Sequence, residues 1–507
     1  MAGHIDFEVD GRPVQVPDDG GSLLDALRDG LGLRSPKDGC SPQGQCGCCT
    51  VLVDGAPRVA CVTPVRRMAG RRVTTVEGLD DRDTWADAFL ATGASQCGFC
   101  TPGIIVRLAG LGADHDRAAA ERSLAAHLCR CTGWRTILDA VDRYGEPAPE
   151  RDPEAASLRA TVEGGAVQRV GADVVLGRGG FAADTVPADA LVAVPDGSGG
   201  WAVGETVGEA RARAGAVQGR RTTIDLRHPV EVPPGDWDFT LQTAWVEPAY
   251  LETDTSWCSP GGEPTTPLAN GGAFGAKVAS PAPAAARELA DRHGRTVAVL
   301  LSREDTVRLG PKRPPLGAGI RRDGTGTVRV ARTAGVAAAI SAVAPGLTVE
   351  EVEVDGPPTS TSLRAAGWGE ALVLLAAAEG ATPVTVTTPA GATASAEVGP
   401  DGVRVRVACG QVLDEVVLRS YCTGAAHMAL GWVRQEGLAV DSEGTVHDLT
   451  IRSFGVLRAS ETPPVHVEVV AGDGPAVNGS DAVFVAVAAA EWMRQGCPTR
   501  WPTGVSR

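Results

Sequence analysis

The distribution of cysteines constrains this chain more than any other feature. Nine of the thirteen lie before residue 132, and the other four are scattered, at Cys258, Cys409, Cys422 and Cys497. The N-terminal residues lack the basic and apolar stretches of a secretory signal, so we expect a cytoplasmic protein. In a reducing compartment, clustered cysteines indicate metal ligands or redox sites rather than disulfides.

The first cysteine set is Cys40, Cys46, Cys49 and Cys61, with gaps of five, two and eleven residues. Plant-type [2Fe–2S] proteins have gaps of four and two residues before a distant fourth cysteine, so the first gap here is one residue longer. Glycines in the loop allow backbone N–H groups to turn towards an anionic cluster. Cys48 is the extra thiol, which we expect to be a bystander. The spacing alone leaves zinc open as an alternative.

The second set pairs Cys97 and Cys100 with Cys129 and Cys131. Each pair lies just before a predicted helix. Helix N-termini offer unpaired N–H groups and a positive dipole end, which suit an anionic cluster. This spacing, taken alone, also fits zinc.

The remaining patterns predict a multidomain α+β protein, and 507 residues suit three or four domains. We expect a β-rich unit over 1–80, a helical unit over 81–145, a Pro/Glu-rich linker over 146–165, a small β-rich region over 166–235 and a mixed α+β region over 236–507. The helical unit should contain helices near 83–92, 102–111, 117–128 and 134–144.

Charge and hydropathy exclude two classes of partner. The net charge of −15 argues against binding to nucleic acid. The longest apolar run, 482–490, is far shorter than the ~20 residues of a membrane span.

Two stretches of the helical unit carry a family resemblance: QCGFCTPG at 96–103 and LCRCTG at 128–133. With the eleven-residue gap after Cys49, they resemble the iron–sulfur subunit or domain of the molybdenum hydroxylases, the xanthine dehydrogenase, aldehyde oxidase and carbon monoxide dehydrogenase family. The resemblance implies a β-grasp, plant-ferredoxin-like domain over 1–80 and a four-helix domain over 81–145. Each would hold one [2Fe–2S] cluster on its four cysteines, which makes zinc the weaker alternative.

The rest of the chain is similar to a shortened molybdopterin-binding region of the same family. Residues 166–235 would correspond to a hammerhead-like region and 236–507 to the truncated molybdopterin-binding part. The loop NGGAFGAK at 270–277 resembles the glycine-rich pterin loop, and LRAAGW at 363–368 resembles the arginine loop at molybdenum. The resemblance implies Phe274, Gly275 and Arg364 as molybdopterin contacts.

Departures from the family pattern are equally informative. Ala273 and Ala276 replace two glycines of the pterin loop. The segment 477–481 (VNGSD) has no glutamate where the family has its catalytic base, so we predict no catalytic residue. Asp481 is a candidate substitute if the turn shifts by one residue. A flavin domain is not recognisable.

The sequence therefore predicts an oxidoreductase component that relays electrons through two [2Fe–2S] clusters. We expect it to work in an oligomer, with a catalytic subunit that binds molybdopterin, and with a flavin or other electron-acceptor subunit. Two alternatives stay open. One is a compact, self-sufficient hydroxylase that binds molybdopterin itself and acts on a purine, aldehyde or heteroaromatic; the other is a stand-alone ferredoxin-like carrier.

Overall fold

The computed structural model describes residues 3–112, 116–215 and 224–504. Its first unit is a five-stranded mixed sheet in the order β2-β1-β5-β3-β4. The strands are β1 His4–Val9, β2 Arg12–Pro17, β3 Thr50–Val53, β4 Ala56–Val59 and β5 Arg72–Thr74, with a short helix α1 Leu23–Asp25. Asp10 and Gly11 turn β1 into β2 with φ of 51° and 76°. Such a turn matches the twist of a tight hairpin.

The second unit is helical, as predicted. Its helices are α2 Arg82–Thr92, α3 Thr101–Ala109, α4 Arg117–Ser123 and α5 Arg135–Asp142. The third helix is shorter than expected, because residues 124–126 tighten into a 3-10 turn before the second cysteine pair.

The predicted linker over 146–165 is wrong in its second half. Residues Pro153–Gly164 form helix α6, which the Asp152 side chain caps by accepting from the N–H groups of Glu154 and Ala155. Asp-Pro opens a helix as well as it opens a linker, since proline suits the first helical position. Arg159 and Glu163 on this helix are fully buried and form an ion pair of 2.8 Å.

The remaining chain mixes helices and strands. The helices in its described residues are α7 Ala172–Val175, α8 Val207–Ala214, α9 Ala282–His293, α10 Arg303–Leu309, α11 Val336–Val343, α12 Trp368–Glu379, α13 Glu415–Arg434 and α14 Ser480–Arg494. The strands there are β6 Leu191–Pro195, β7 Trp201–Gly204, β8 Phe239–Thr243, β9 Thr255–Cys258, β10 Val297–Leu300, β11 Leu316–Ile320, β12 Gly326–Ala331, β13 Leu347–Val352, β14 Val384–Thr387, β15 Thr393–Gly399, β16 Gly402–Ala408, β17 Val465–Val470 and β18 Arg500–Trp501.

The expected β-rich region over 166–235 differs from the structure in two ways. Its described residues contribute only the two strands β6 and β7, together with α7 and α8. These strands also join β10 and β9 in one sheet, in the order β7-β6-β10-β9, so the sheet crosses residue 235. Strands β6 and β10 pair in parallel, which requires a long connection between them.

Two further sheets complete the C-terminal region. One has the order β13-β12-β11-β8-β18 and the other β14-β15-β16-β17. Helices α12, α13 and α14 share an apolar core with both sheets.

One apolar core joins the N-terminal units to the C-terminal region. It contains Phe89 and Ile104 together with Trp245, Leu438 and Ile451. Both cysteine sets belong to this core, so the C-terminal region packs directly around them. Within the described residues, no helix combines the length and apolar character needed to cross a membrane.

Candidate functional site

The loop before β3 and the 3-10 turn Ala60–Val62 after β4 together gather the first cysteine set. The Cys40 thiol neighbours those of Cys46 and Cys61, and the Cys61 thiol neighbours that of Cys49. All four side chains are buried, none more than 6% exposed. The residues predicted from spacing are therefore brought to one place.

Backbone N–H groups face the sulfurs of this set. Those of Gln43 and Gln45 donate to Cys40 Sγ at 3.2 and 3.5 Å, and that of Cys61 donates to Cys49 Sγ at 3.4 Å. Such hydrogen bonds stabilise thiolate sulfur and, in iron–sulfur proteins, tune the reduction potential.

The longer first gap does not separate the thiols. Ser41 and Gly44 both have left-handed backbone, with φ of 47° and 70°, and fold the loop back on itself. Cys40 and Cys46 consequently remain neighbours despite the extra residue.

The second set is assembled from the starts of two helices. Cys100 precedes α3 directly, and Cys129 and Cys131 lie shortly before α5. The Sγ atoms of Cys97 and Cys131 are 3.6 Å apart, and Cys100 contacts Cys129. The hydrogen bond from Cys100 lowers the pKa of Cys129 to about 6, against the opposing effect of burial.

The second set therefore forms two thiol pairs. A [2Fe–2S] cluster with four cysteine ligands needs two thiolates on each iron, whereas a structural zinc ion needs four ligands around one point. The pairing suits the two-iron group.

The two cysteine sets lie back to back. A Cβ on Gly103, in the first turn of α3, would stand 2.5 and 2.8 Å from the carbonyl oxygens of Gly47 and Cys48. The helix that follows Cys100 thus packs on the loop of the first set. Cys48 is fully buried at this junction, where its thiol adjoins that of Cys46.

The residues suggested as molybdopterin contacts also converge. The backbone N–H of Arg364 donates to the Phe274 carbonyl at 3.1 Å, and its guanidinium lies 5.3 Å from the Phe274 ring centroid. Gly275 has φ of 87°, and a Cβ there would stand 1.7 Å from the Ser362 carbonyl oxygen. The glycine-rich loop and the arginine loop therefore require this glycine to pack together.

Asp481 lies beside Arg364 as the latter's ion-pair partner. Its Oδ1 is 2.8 Å from Arg364 Nε, and Arg364 Nη2 donates to the Ser480 hydroxyl at 2.8 Å. Burial raises the pKa of Asp481, and the Arg364 charge opposes that shift. Arg364 therefore already has a counter-ion and a hydrogen-bond partner within this chain.

A cavity of about 210 Å³ remains between these loops and the second cysteine set. Its lining includes Cys97, Phe274, Arg364 and Asp481. Ligand pockets usually measure about 300–1,000 Å³, so this cavity is small, and Arg364, the cation in its lining, is already paired with Asp481. Molybdopterin does not fit the residues present here.

Beside this cavity, Gly272 of the glycine-rich loop packs directly on Cys97 of the second set. A Cβ on Gly272 would stand 2.9 Å from Cys97 Cβ and 3.1 Å from Cys97 Sγ. Ala273 and Ala276, the replacements for family glycines, pack with Tyr250 in a small apolar cluster.

Sequence analysis missed three arginines of the C-terminal region that contact the first cysteine loop. They are Arg211, Arg303 and Arg452. Each is 170 or more residues from its partner, and no local pattern marks such a contact.

Two family models match the N-terminal units. Residues 7–66 match the 2Fe-2S iron-sulfur cluster binding domain, and residues 75–142 match the [2Fe-2S] binding domain. These matches favour iron–sulfur clusters over zinc ions as the groups that the cysteines bind. The nicotine 6-hydroxylase small subunit of Paenarthrobacter nicotinovorans is 40% identical over 143 residues, covering 27% of this chain and 86% of that subunit. The chain belongs to the molybdenum hydroxylase family.

Other molybdenum hydroxylase relatives match over a similar share of the chain. A nicotinate dehydrogenase subunit of Pseudomonas putida is 40% identical over 151 residues, which are 28% of this chain and 94% of that subunit. The aldehyde oxidoreductase of Megalodesulfovibrio gigas is 43% identical over 128 residues, which are 24% of this chain and only 14% of that protein. Two of the three relatives are therefore enzyme subunits.

The whole fold matches a solved molybdenum hydroxylase. The aldehyde oxidoreductase of Desulfovibrio desulfuricans aligns with a TM-score of 0.70, covering 97% of each chain at 14% identity. This likeness confirms the predicted multidomain α+β fold class, including the C-terminal region.

Proposed function

We propose that this chain is the iron–sulfur electron-transfer component of a molybdenum hydroxylase system, with substrate oxidation on a separate catalytic chain. The observation that carries the proposal is the contrast between two sites. Both cysteine sets are assembled, with every cysteine buried except the half-buried Cys97, whereas the cavity beside the second set is small and its Arg364 is paired with Asp481.

The proposal assigns the cysteines as ligands. Cys40, Cys46, Cys49 and Cys61 hold the first cluster, and Cys97, Cys100, Cys129 and Cys131 hold the second. A bound [2Fe–2S] cluster accepts and releases one electron. The chain buries the first set and three cysteines of the second, hydrogen-bonds sulfurs of the first set and holds the two sets back to back, with Gly103 against Gly47.

The partners follow from the same proposal. The relatives that match along most of their length include two enzyme subunits. We therefore assign a molybdopterin-binding partner as the electron donor and a flavin or other chain as the acceptor. The proposed domains are 1–80 and 81–145 for the two clusters. The C-terminal region serves as their packing scaffold.

A compact hydroxylase is the competing function. The convergence of Phe274, Gly275 and Arg364 favours it, since these are the residues that the resemblance assigns to the cofactor. Two observations count against it: the ion pair that already joins Arg364 to Asp481, and the small volume of the cavity beside Cys97.

An anaerobic reductive titration tests the proposal. The purified full chain is reduced with dithionite, and the electrons recovered on reoxidation by ferricyanide are counted. We expect two electrons per chain, and one in Cys131→Ala. Recovery of no electrons, or of more than two from the wild type, would overturn the proposal, because a further redox centre would then reside in this chain.

A further inference from the structure

The C-terminal region covers the first cysteine loop with three arginines, which we call the arginine cover: Arg211, Arg303 and Arg452. They come from α8, α10 and the 3-10 turn Ile451–Phe454. The hydrogen bonds run from Arg211 Nη2 to the Ser41 hydroxyl (3.0 Å), from Arg303 Nη2 to the Gly39 carbonyl (3.3 Å) and from Arg452 Nε to the Gln45 carbonyl (2.9 Å).

Arg452 bridges the cysteine loop and the helical unit. Besides Gln45, it reaches the Ala125 carbonyl, which lies 3.4 Å from both Nη1 and Nη2. The thiols of Cys46 and Cys40 lie within its electrostatic reach. Its charge therefore acts on the group that these thiols hold.

Arg303 is a fully buried cation whose hydrogen bonding is incomplete. Its side chain is 0% exposed, and Nε and Nη1 have no hydrogen-bond partner among the described residues. Within the same residues, no ion pair joins Arg303 or Arg452 to a carboxylate. A buried, unpaired cation is costly unless a negative charge lies nearby. Arg303 Nη2 also donates to the carbonyls of Tyr250 (2.6 Å) and Leu251 (3.0 Å), and an anionic cluster in the adjoining cysteine loop would supply the missing counter-charge.

Reduction of a [2Fe–2S] cluster adds one negative charge to it. Fixed positive charges in a site shielded from water favour that state, since net charge, hydrogen bonds and solvent exposure set the potential of such clusters. We infer that the C-terminal region tunes the first cluster, its arginine cover raising the reduction potential of that cluster.

The inference rests on the proposed function, because it requires a cluster at the first cysteine set. Its test is a redox titration of the full-length protein, in which electron paramagnetic resonance gives the reduction potential of each cluster. Arg452→Gln removes the positive charge at this position, and Arg452→Lys keeps it. The control variant is Arg332→Gln. It removes an exposed arginine that is paired with Glu353 and does not contact the first cysteine loop.

We expect Arg452→Gln to lower the reduction equilibrium constant of the first cluster about tenfold, equivalent to about 59 mV for one electron. The second cluster should keep its potential. Arg452→Lys and Arg332→Gln should leave both potentials near those of the wild type. An unchanged first potential in Arg452→Gln, or equal shifts of both clusters, would overturn the inference.

A second variant keeps the test decisive if Arg452→Gln loses its first cluster on purification. Arg211→Gln removes a partly exposed member of the cover and should lower the first potential by a smaller amount. An unchanged potential there would overturn the inference. A wild-type protein without the first cluster would instead contradict the proposed function, so the two failures are distinguishable.

Discussion

The guanidinium of Arg130 and the carboxylate of Glu436 form a two-point ion pair, with N–O distances of 2.5 and 2.6 Å between buried side chains. Arg130 stands between Cys129 and Cys131, and Glu436 follows the end of α13. The pair fastens the second cysteine set to the C-terminal region. This ion pair is therefore a direct contact between the helical cysteine unit and the C-terminal region.

Removing the acidic partner should destabilise the protein strongly. Glu436→Gln leaves the Arg130 cation buried without a counter-charge, which typically costs about 3–5 kcal/mol. The measurement is the free energy of unfolding in guanidinium chloride. The control, Glu146→Gln, breaks the exposed Arg143–Glu146 pair and should cost less than about 1 kcal/mol. Equal losses in both variants would contradict the role of the buried pair.

The ligand assignment predicts which thiols are required. Cys61→Ala and Cys131→Ala should each lose two irons and one of the two paramagnetic signals, since each removes one of four ligands. Cys48→Ala should keep four irons and both signals, because Cys48 stands outside the four assigned thiols. Iron analysis with electron paramagnetic resonance checks this. A Cys48→Ala protein that lacks the first cluster would show that Cys48 is a ligand.

A methyl group at Gly272 should disturb the second cluster. The Cβ of Gly272→Ala would press on Cys97 at 2.9 Å, in addition to the strain at φ of 80°. We expect a loss of about 1–3 kcal/mol and a changed signal of the second cluster. Gly261→Ala is the matched control, because its φ of 67° imposes similar strain with nothing within 4 Å. If both variants keep the wild-type signal, the loop does not press on the cysteine.

His427 should make the protein less stable in mild acid. Burial lowers the pKa of His427 to about 4, and the Arg130 charge acts in the same direction. The stability that the neutral ring provides is present above pH 6.5 and is lost as the pH falls towards 4, since the unfolded chain binds a proton that the folded chain does not. From pH 7 to 5 the loss is about 2 kcal/mol.

The check is the urea midpoint of the wild type and of His427→Gln over that range. The variant should show a flatter dependence on pH. His466→Gln, at an exposed position, should keep the wild-type slope. A wild-type slope in His427→Gln would contradict the assignment.

The predictions for the N-terminal units rested on patterns between residues that are close in the sequence. Asp10 and Gly11 specify the first hairpin through their backbone conformation, and cysteine spacing identified both sets because their ligands are close in sequence. The helix over Pro153–Gly164 was missed, because proline and acidic residues are typical of linkers and of helix starts alike.

Contacts distant in sequence set the limit of sequence analysis. The resemblance implies Phe274, Gly275 and Arg364 as molybdopterin contacts, and that role stays a prediction; the structure places the three residues next to one another. The ion pair that engages Arg364 depends on Asp481, which packing brings in from α14. The arginine cover is of the same kind, as Arg452 and Gln45 are 407 residues apart.

The most direct test of the account is an analysis of iron, acid-labile sulfide, molybdenum and released pterin in the purified full chain. We predict about four irons and four sulfides per chain, as two [2Fe–2S] clusters require, with neither molybdenum nor pterin. Stoichiometric molybdenum and pterin would contradict the account, because the C-terminal region would then hold a working cofactor site.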